Sequence, residues 1–84
     1  MRQIDGKYKT DGAVTKNDGT PIPDDEPLIL FRGQDKLLPG LLKHYNQLCA
    51  QAGSPQTQIQ AIEERIKAIE KWQTEHPERV KAPD

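Results

Sequence analysis

The side chains with the most useful chemistry cluster where an apolar run meets a leucine-rich segment. They are Arg32, Gln34, Lys36, Lys43, His44 and Tyr45. Cations and hydrogen-bonding groups beside a helix N-terminus suit the binding of an anionic ligand or of a partner protein. Asp35 weakens the anion interpretation, because a carboxylate in the cap position would occupy the free amides. The alternative is that Arg32 and Asp35 form a structural ion pair.

Neither catalysis nor metal binding is indicated. His44 lies five residues before Cys49, about 140° away around a helix axis, so the two cannot pair as base and nucleophile. Cys49 is therefore predicted to be a small core residue. The acidic segment Asp24–Glu26 is held extended by flanking prolines and matches no calcium loop, so we interpret it as a solvated linker, with a contact surface for a basic partner as the alternative. We predict a protein that is not an enzyme and has no metal or cofactor.

Composition limits the kind of protein further. The chain has 84 residues, a formal net charge of −1 and one cysteine. A core of this size seldom supplies more than about 3–5 kcal/mol of stability, and no disulfide is available, so we expect a homo-oligomer. The charge balance argues against general nucleic-acid binding. The longest apolar run, Leu28–Phe31, is too short to cross a bilayer and no signal sequence follows Met1, which predicts a cytoplasmic protein.

The N-terminal third has the pattern of short strands and turns. Two weak strands are expected at Lys7–Thr10 and Ala13–Lys16, followed by a β-turn at Asn17–Gly19. Prolines should keep residues 21–27 extended. The unbroken apolar composition of Leu28–Arg32 then predicts a buried strand.

The remaining chain predicts a helical hairpin. The first helix should occupy residues 35–53, with Asp35 as N-cap and Gly53 ending it. The second should occupy residues 54–76, with Ser54 as N-cap and Pro77 after its end. It carries a seam of four isoleucines with the spacing of a coiled coil: Ile59, Ile62, Ile66 and Ile69.

Trp72 lies one position off this seam, where it would either cover the hairpin core or anchor a partner. Residues 77–84 are predicted to be a polar tail. The predicted class is α+β: one domain, 1–84, in which a small β-hairpin or sheet within residues 1–33 precedes an antiparallel two-helix hairpin.

Several of these segments resemble small uncharacterised accessory proteins of bacteriophages and prophages. The resemblance covers about residues 7 to 50 and is carried by Asp18-Gly19-Thr20-Pro21-Ile22-Pro23, Asp25-Glu26-Pro27-Leu28, Arg32 with Gln34-Asp35, and the leucine-rich helix through Tyr45. It implies a bacterial host cell and a role in host takeover or in blocking antiviral defence. It carries no catalytic motif.

Three functional hypotheses follow. The leading one is a non-enzymatic inhibitor that binds a host or antiviral-defence protein stoichiometrically, with the Arg32–Tyr45 region and Trp72 in contact. The second is a homo-oligomer that sequesters a small anionic signalling nucleotide through Arg32, Lys36, Lys43 and Tyr45. The third is a structural or regulatory protein of the virion or lysogen.

Overall fold

The computed structural model describes residues 2–5, 8–10 and 14–82, and of the first two ranges the backbone alone. The chain divides into two compact units, one ending at Leu30 and one beginning at Phe31. In the first unit, strands β1 (Arg2–Asp5) and β2 (Tyr8–Thr10) form a short antiparallel ribbon. Arg2 is opposite Thr10, and the register is irregular between Gln3 and Asp5.

The predicted turn at Asn17–Gly19 is confirmed. The Gly19 N–H donates to the Lys16 carbonyl at 2.9 Å, and the Thr20 N–H donates to Asp18 Oδ1 at 2.9 Å. Gly19 has φ +87°, a conformation that glycine adopts without steric cost. Hydrogen bonding from Thr20, by its side chain and then by its backbone, lowers the pKa of the Asp18 carboxyl.

The α+β prediction is wrong, because residues 14–82 contain two α-helices, a short 3₁₀ helix and no β-strand. The expected buried strand Leu28–Arg32 is irregular, and Ile29 within it is 67% exposed. A strand forms as part of a ladder, and the ladder in the described part of the chain is that of β1 with β2, to which residues 28–32 do not belong. The predicted strand Ala13–Lys16 is reduced to an isolated bridge between Thr15 and Pro21. Lys7 and Ala13, the first residues of the two predicted strands, lie outside the described residues.

The second unit is built on the predicted helical hairpin. Helix α1 is Leu38–Gln51 and helix α2 is Gln56–Glu75. Gly53, with φ +79°, ends α1, as predicted: its N–H donates to Ala50 O and the Ser54 N–H to Cys49 O. This pair of bonds is the Schellman motif, which satisfies carbonyls that the helix leaves free.

The predicted N-caps are wrong by one or two residues. Leu37 is the N-cap of α1, and Asp35 Oδ1 accepts the Leu37 N–H at 2.9 Å in the turn before the helix. Pro55, rather than Ser54, is the N-cap of α2. Pro39, in the first turn of α1, fits there because its missing N–H would have had no partner. Both helices lie inside their predicted ranges.

A small core holds the hairpin together. Within residues 14–82 the buried apolar side chains are Leu38, Cys49, Ile66 and Ile69. Burial of Cys49 confirms its interpretation as a core residue. In the isoleucine seam of α2, Ile66 and Ile69 are buried, whereas Ile59 and Ile62 are half-buried.

Polar contacts also cross between the helices. Lys43 Nζ lies 3.0 Å from Glu70 Oε2, and Asn46 Nδ2 donates to the Ile59 carbonyl at 3.2 Å. The Lys43–Glu70 pair is exposed and contributes at most about 1 kcal/mol. The hairpin therefore depends mainly on its few buried apolar side chains.

The segment after α2, residues 77–82 of the predicted polar tail, is docked. A 3₁₀ helix at Pro77–Arg79 follows α2. The Lys81 N–H then donates to Gln34 O and Lys81 O accepts the Lys36 N–H, both at 3.0 Å. Gln73 Nε2 donates to the carbonyls of Gly33 and Asp35, both at 2.9 Å. We call residues 31–34 the strap, and these bonds attach it to α2 and to the C-terminal segment.

Candidate functional site

A cleft of about 550 Å³ opens in the second unit between the strap, the first half of α1 and the second half of α2. Its apolar wall includes Phe31, Leu42 and Trp72. Its cationic wall consists of Arg32, Arg65 and Arg79. The volume lies within the range of small-molecule sites, and apolar surface with a few converging polar groups is their usual composition.

The cleft is electrostatically one-sided, because three guanidinium groups line it and no carboxylate does. Arg32 and Arg65 form no ion pair with any residue of 14–82, where the ion pairs are Lys43–Glu70 and Lys71–Glu75. Guanidinium groups present planar forks of donors that match carboxylate and phosphate oxygens. The arrangement can therefore hold an anion.

Trp72 connects the two walls of the cleft. Its ring stacks on the His76 ring at 4.7 Å between centroids and 25° between planes. Arg79 Cζ lies 4.8 Å from the centroid of the Trp72 ring, a cation–π distance. His76 Nδ1 lies 2.9 Å from the Trp72 carbonyl oxygen. These contacts place the Arg79 guanidinium at the cleft.

The structure brings together some of the predicted site residues and separates others. Arg32, Gln34 and Trp72 line the cleft. Lys43 instead pairs with Glu70, and exposed Tyr45 lies on α1 away from the cleft. The other two predicted site residues, Lys36 and His44, are also exposed and do not line the cleft. The four-residue set expected to bind a nucleotide is therefore not assembled there.

The predicted site did not include two of the three arginines of the cleft, Arg65 and Arg79, or its apolar lining residues Phe31 and Leu42. Arg65 precedes Ile69 by four residues and Trp72 by seven, so helical spacing alone would have put it on their face of α2. Arg79 had no such signal, because its position depends on the docking of the segment after Pro77.

A second feature is an apolar line along the outside of α1. It consists of Leu37, Leu41, Tyr45 and Leu48, and we call these four residues the α1 stripe. They fall within an arc of about 80° around the helix axis and span about 16 Å. Each is between 44% and 57% exposed. The buried Leu38 and Cys49 occupy the adjacent arc, so α1 is apolar over a wider face than α2 covers.

Searches for related proteins add no functional information. No protein-family model, curated protein or solved structure matches the chain. The comparisons give no support to a bacteriophage setting or to an anti-defence role. In the described part of the chain, no cluster of His, Cys, Asp and Glu is arranged to hold a metal ion. No described helix is long and apolar enough to span a membrane.

Proposed function

We propose that this protein acts by stoichiometric binding, in which the α1 stripe receives the apolar face of an amphipathic helix of another protein and thereby occludes it. The observation that carries the proposal is the alignment of four exposed apolar side chains over three helical turns. Single exposed leucines are ordinary on protein surfaces, whereas a continuous apolar line is typical of interaction sites.

Helix-in-groove recognition uses anchors at the spacing found here. Residues 37, 41, 45 and 48 follow one another by four, four and three positions. Tyr45 adds an aromatic anchor with a polar tip, a residue type enriched in binding hot spots. A partner helix seated there would lie beside α1 on the side that α2 leaves open.

Charge indicates what the partner should carry. Helix α1 has no acidic residue, and exposed His44 lies about 60° around the helix axis from the centre of the stripe, whereas Lys43 lies on the opposite side and pairs with Glu70. A partner helix with acidic residues beside its apolar face can accept hydrogen bonds from His44, whereas a second α1 offers no carboxylate there. We accordingly assign the stripe to a different, acid-flanked helix rather than to a second copy of this chain. The homo-oligomer expected from composition would use another surface and stays a prediction.

The expected affinity is modest. Burying the exposed half of each stripe residue is worth on the order of 1 kcal/mol, or about 4 kcal/mol for the stripe. Anchors on the partner contribute a similar amount, and ordering of both surfaces opposes them. The two contributions alone, about 8 kcal/mol, correspond to a dissociation constant of about 1 μM, so after the ordering cost the constant should lie on the order of 0.1 mM or above.

The test uses a designed amphipathic helical peptide with a leucine face and glutamate flanks, titrated into the full chain by calorimetry. The same peptide with lysine flanks serves as the charge control. Leu41→Gln should weaken binding about tenfold, since it loses apolar contact and buries an amide. Ala61→Gln, at an exposed site on α2, is the matched control and should not change it.

Three results would overturn the proposal: equal binding of the two peptides, equal affinity of Leu41→Gln and Ala61→Gln, or no binding. Native mass spectrometry of the unliganded protein adds an independent check. A homodimer that Leu41→Gln dissociates and Ala61→Gln leaves intact would show that a second copy occupies the stripe, and would also refute the assignment.

A further inference from the structure

The arginine-lined cleft is distinct from the α1 stripe and uses none of its four residues. We propose that it binds a small phosphorylated ligand with a flat ring-bearing body, of the nucleoside monophosphate class. In this assignment, guanidinium groups at Arg32 and Arg65 hold the phosphate. The ring lies against the apolar wall near Phe31 and Trp72.

The charge pattern favours an anion over a neutral ligand. Three arginines converge on one cleft without a lining carboxylate, so their charges are not neutralised by the cleft itself. A phosphate would relieve this repulsion and accept paired N–H donors from each fork. Arg79 is held against Trp72, so Arg32 and Arg65 are the guanidiniums best able to reorient onto a ligand.

The apolar wall favours a ring over bare phosphate. Phe31 is 44% exposed although it lines the cleft, so part of its ring surface is free to pack on a ligand. Aromatic rings pair with one another in offset or edge-to-face arrangements that add to the burial of area. The volume of about 550 Å³ can hold a compact ligand of this class.

The cleft forms only when the ends of the second unit are brought together. The strap supplies Phe31 and Arg32, and Gln73 holds its backbone through Gly33. The segment after α2 supplies Arg79 and is attached through Lys81. Two α2 residues, Arg65 and Trp72, complete the site.

Trp72 provides the measurement, because it is the chain's single tryptophan and lines the cleft. We would follow its fluorescence while titrating four nucleoside monophosphates, with the four matching nucleosides and inorganic phosphate as separate arms. At least one monophosphate should give saturable quenching at one ligand per chain. Its affinity should exceed those of its nucleoside and of inorganic phosphate by about tenfold or more, as expected for charge-assisted hydrogen bonds combined with ring packing.

Two variants locate the site. Arg65→Gln should weaken binding about tenfold or more, whereas Lys67→Gln, which removes the same charge two residues away on α2 and outside the cleft, should change it little. Arg32→Gln repeats the test from the strap, and circular dichroism verifies that each variant is folded. Both arginines are exposed, so neither change removes a core contact.

The proposal is overturned if no monophosphate quenches Trp72 at millimolar concentration. It is also overturned if nucleosides or inorganic phosphate bind as well as the monophosphate, or if Arg65→Gln and Lys67→Gln weaken binding equally. Leu41→Gln should leave nucleotide binding unchanged, so failure of the cleft proposal and failure of the stripe proposal give different results.

Discussion

Gln73 allows the sharpest test of how the second unit is held together. Its Nε2 donates to Gly33 O and Asp35 O, 40 and 38 residues earlier in the chain. Gln73→Met keeps the length of the side chain and removes both donors. Asp35 O still accepts the Leu38 N–H, whereas no other bond to Gly33 O is found among the described residues.

The cost follows from these two bonds. Each hydrogen bond is worth about 0.5–1.5 kcal/mol net, so the loss of both should lower the free energy of unfolding by about 2 kcal/mol. A domain of this size has only about 3–5 kcal/mol in total. Gln73→Met should therefore remove roughly half of the stability.

Urea unfolding measures this change, with Trp72 fluorescence reporting on the cleft and far-UV circular dichroism on the helices. With a denaturant slope near 1 kcal/mol per molar urea, the midpoint should fall by about 2 M. The control is Gln60→Met, the same chemical change at an exposed position of α2. If the two variants unfold at the same urea concentration, Gln73 does not hold the strap and the reasoning fails.

Two further predictions concern the hairpin itself. Ile66→Ala should lower the free energy of unfolding by about 2–5 kcal/mol, because it opens a cavity in a core with few members; a melting temperature within a few degrees of the parent's would contradict this. Gly40→Ala should raise the free energy of unfolding by about 0.5–1 kcal/mol, since nothing lies within 4 Å of the added Cβ and alanine favours helix. Gly53→Ala should lower the free energy of unfolding by about 1–2 kcal/mol, because φ is +79° there and a Cβ makes that conformation unfavourable. Thermal unfolding compares the two glycine variants, and shifts in the same direction would refute the conformational argument.

The helical hairpin was predictable because its signals are local. Gly53 marks the only turn between the helices and adopts the positive φ that its residue type suggests. The spacing of Ile66 and Ile69 is enough to place them on one face of α2. The helix ends were less predictable. Asp35 has the residue type expected of an N-cap, but it lies in the turn before α1, where its carboxylate accepts the N–H of the actual N-cap, Leu37.

The apolar run Leu28–Phe31 misled the prediction because burial of a strand depends on a neighbouring strand, which a local pattern does not reveal. The cleft was only partly predictable for a similar reason. Arg32, Gln34 and Trp72 were chosen for their chemistry, whereas the contribution of Arg79 depends on contacts between residues about 45 positions apart.

A backbone bridge joins Asp35 and Lys81, which lie near the two ends of the second unit. The residues that lead into α1 and those that follow α2 lie side by side, so a few added residues would link them covalently. New ends could then be opened at the exposed turn around Gly53. In this circular permutant the two helices would remain paired. Because the original ends of the unit lie side by side, the unit in its original order could also be inserted into a surface loop of a carrier protein.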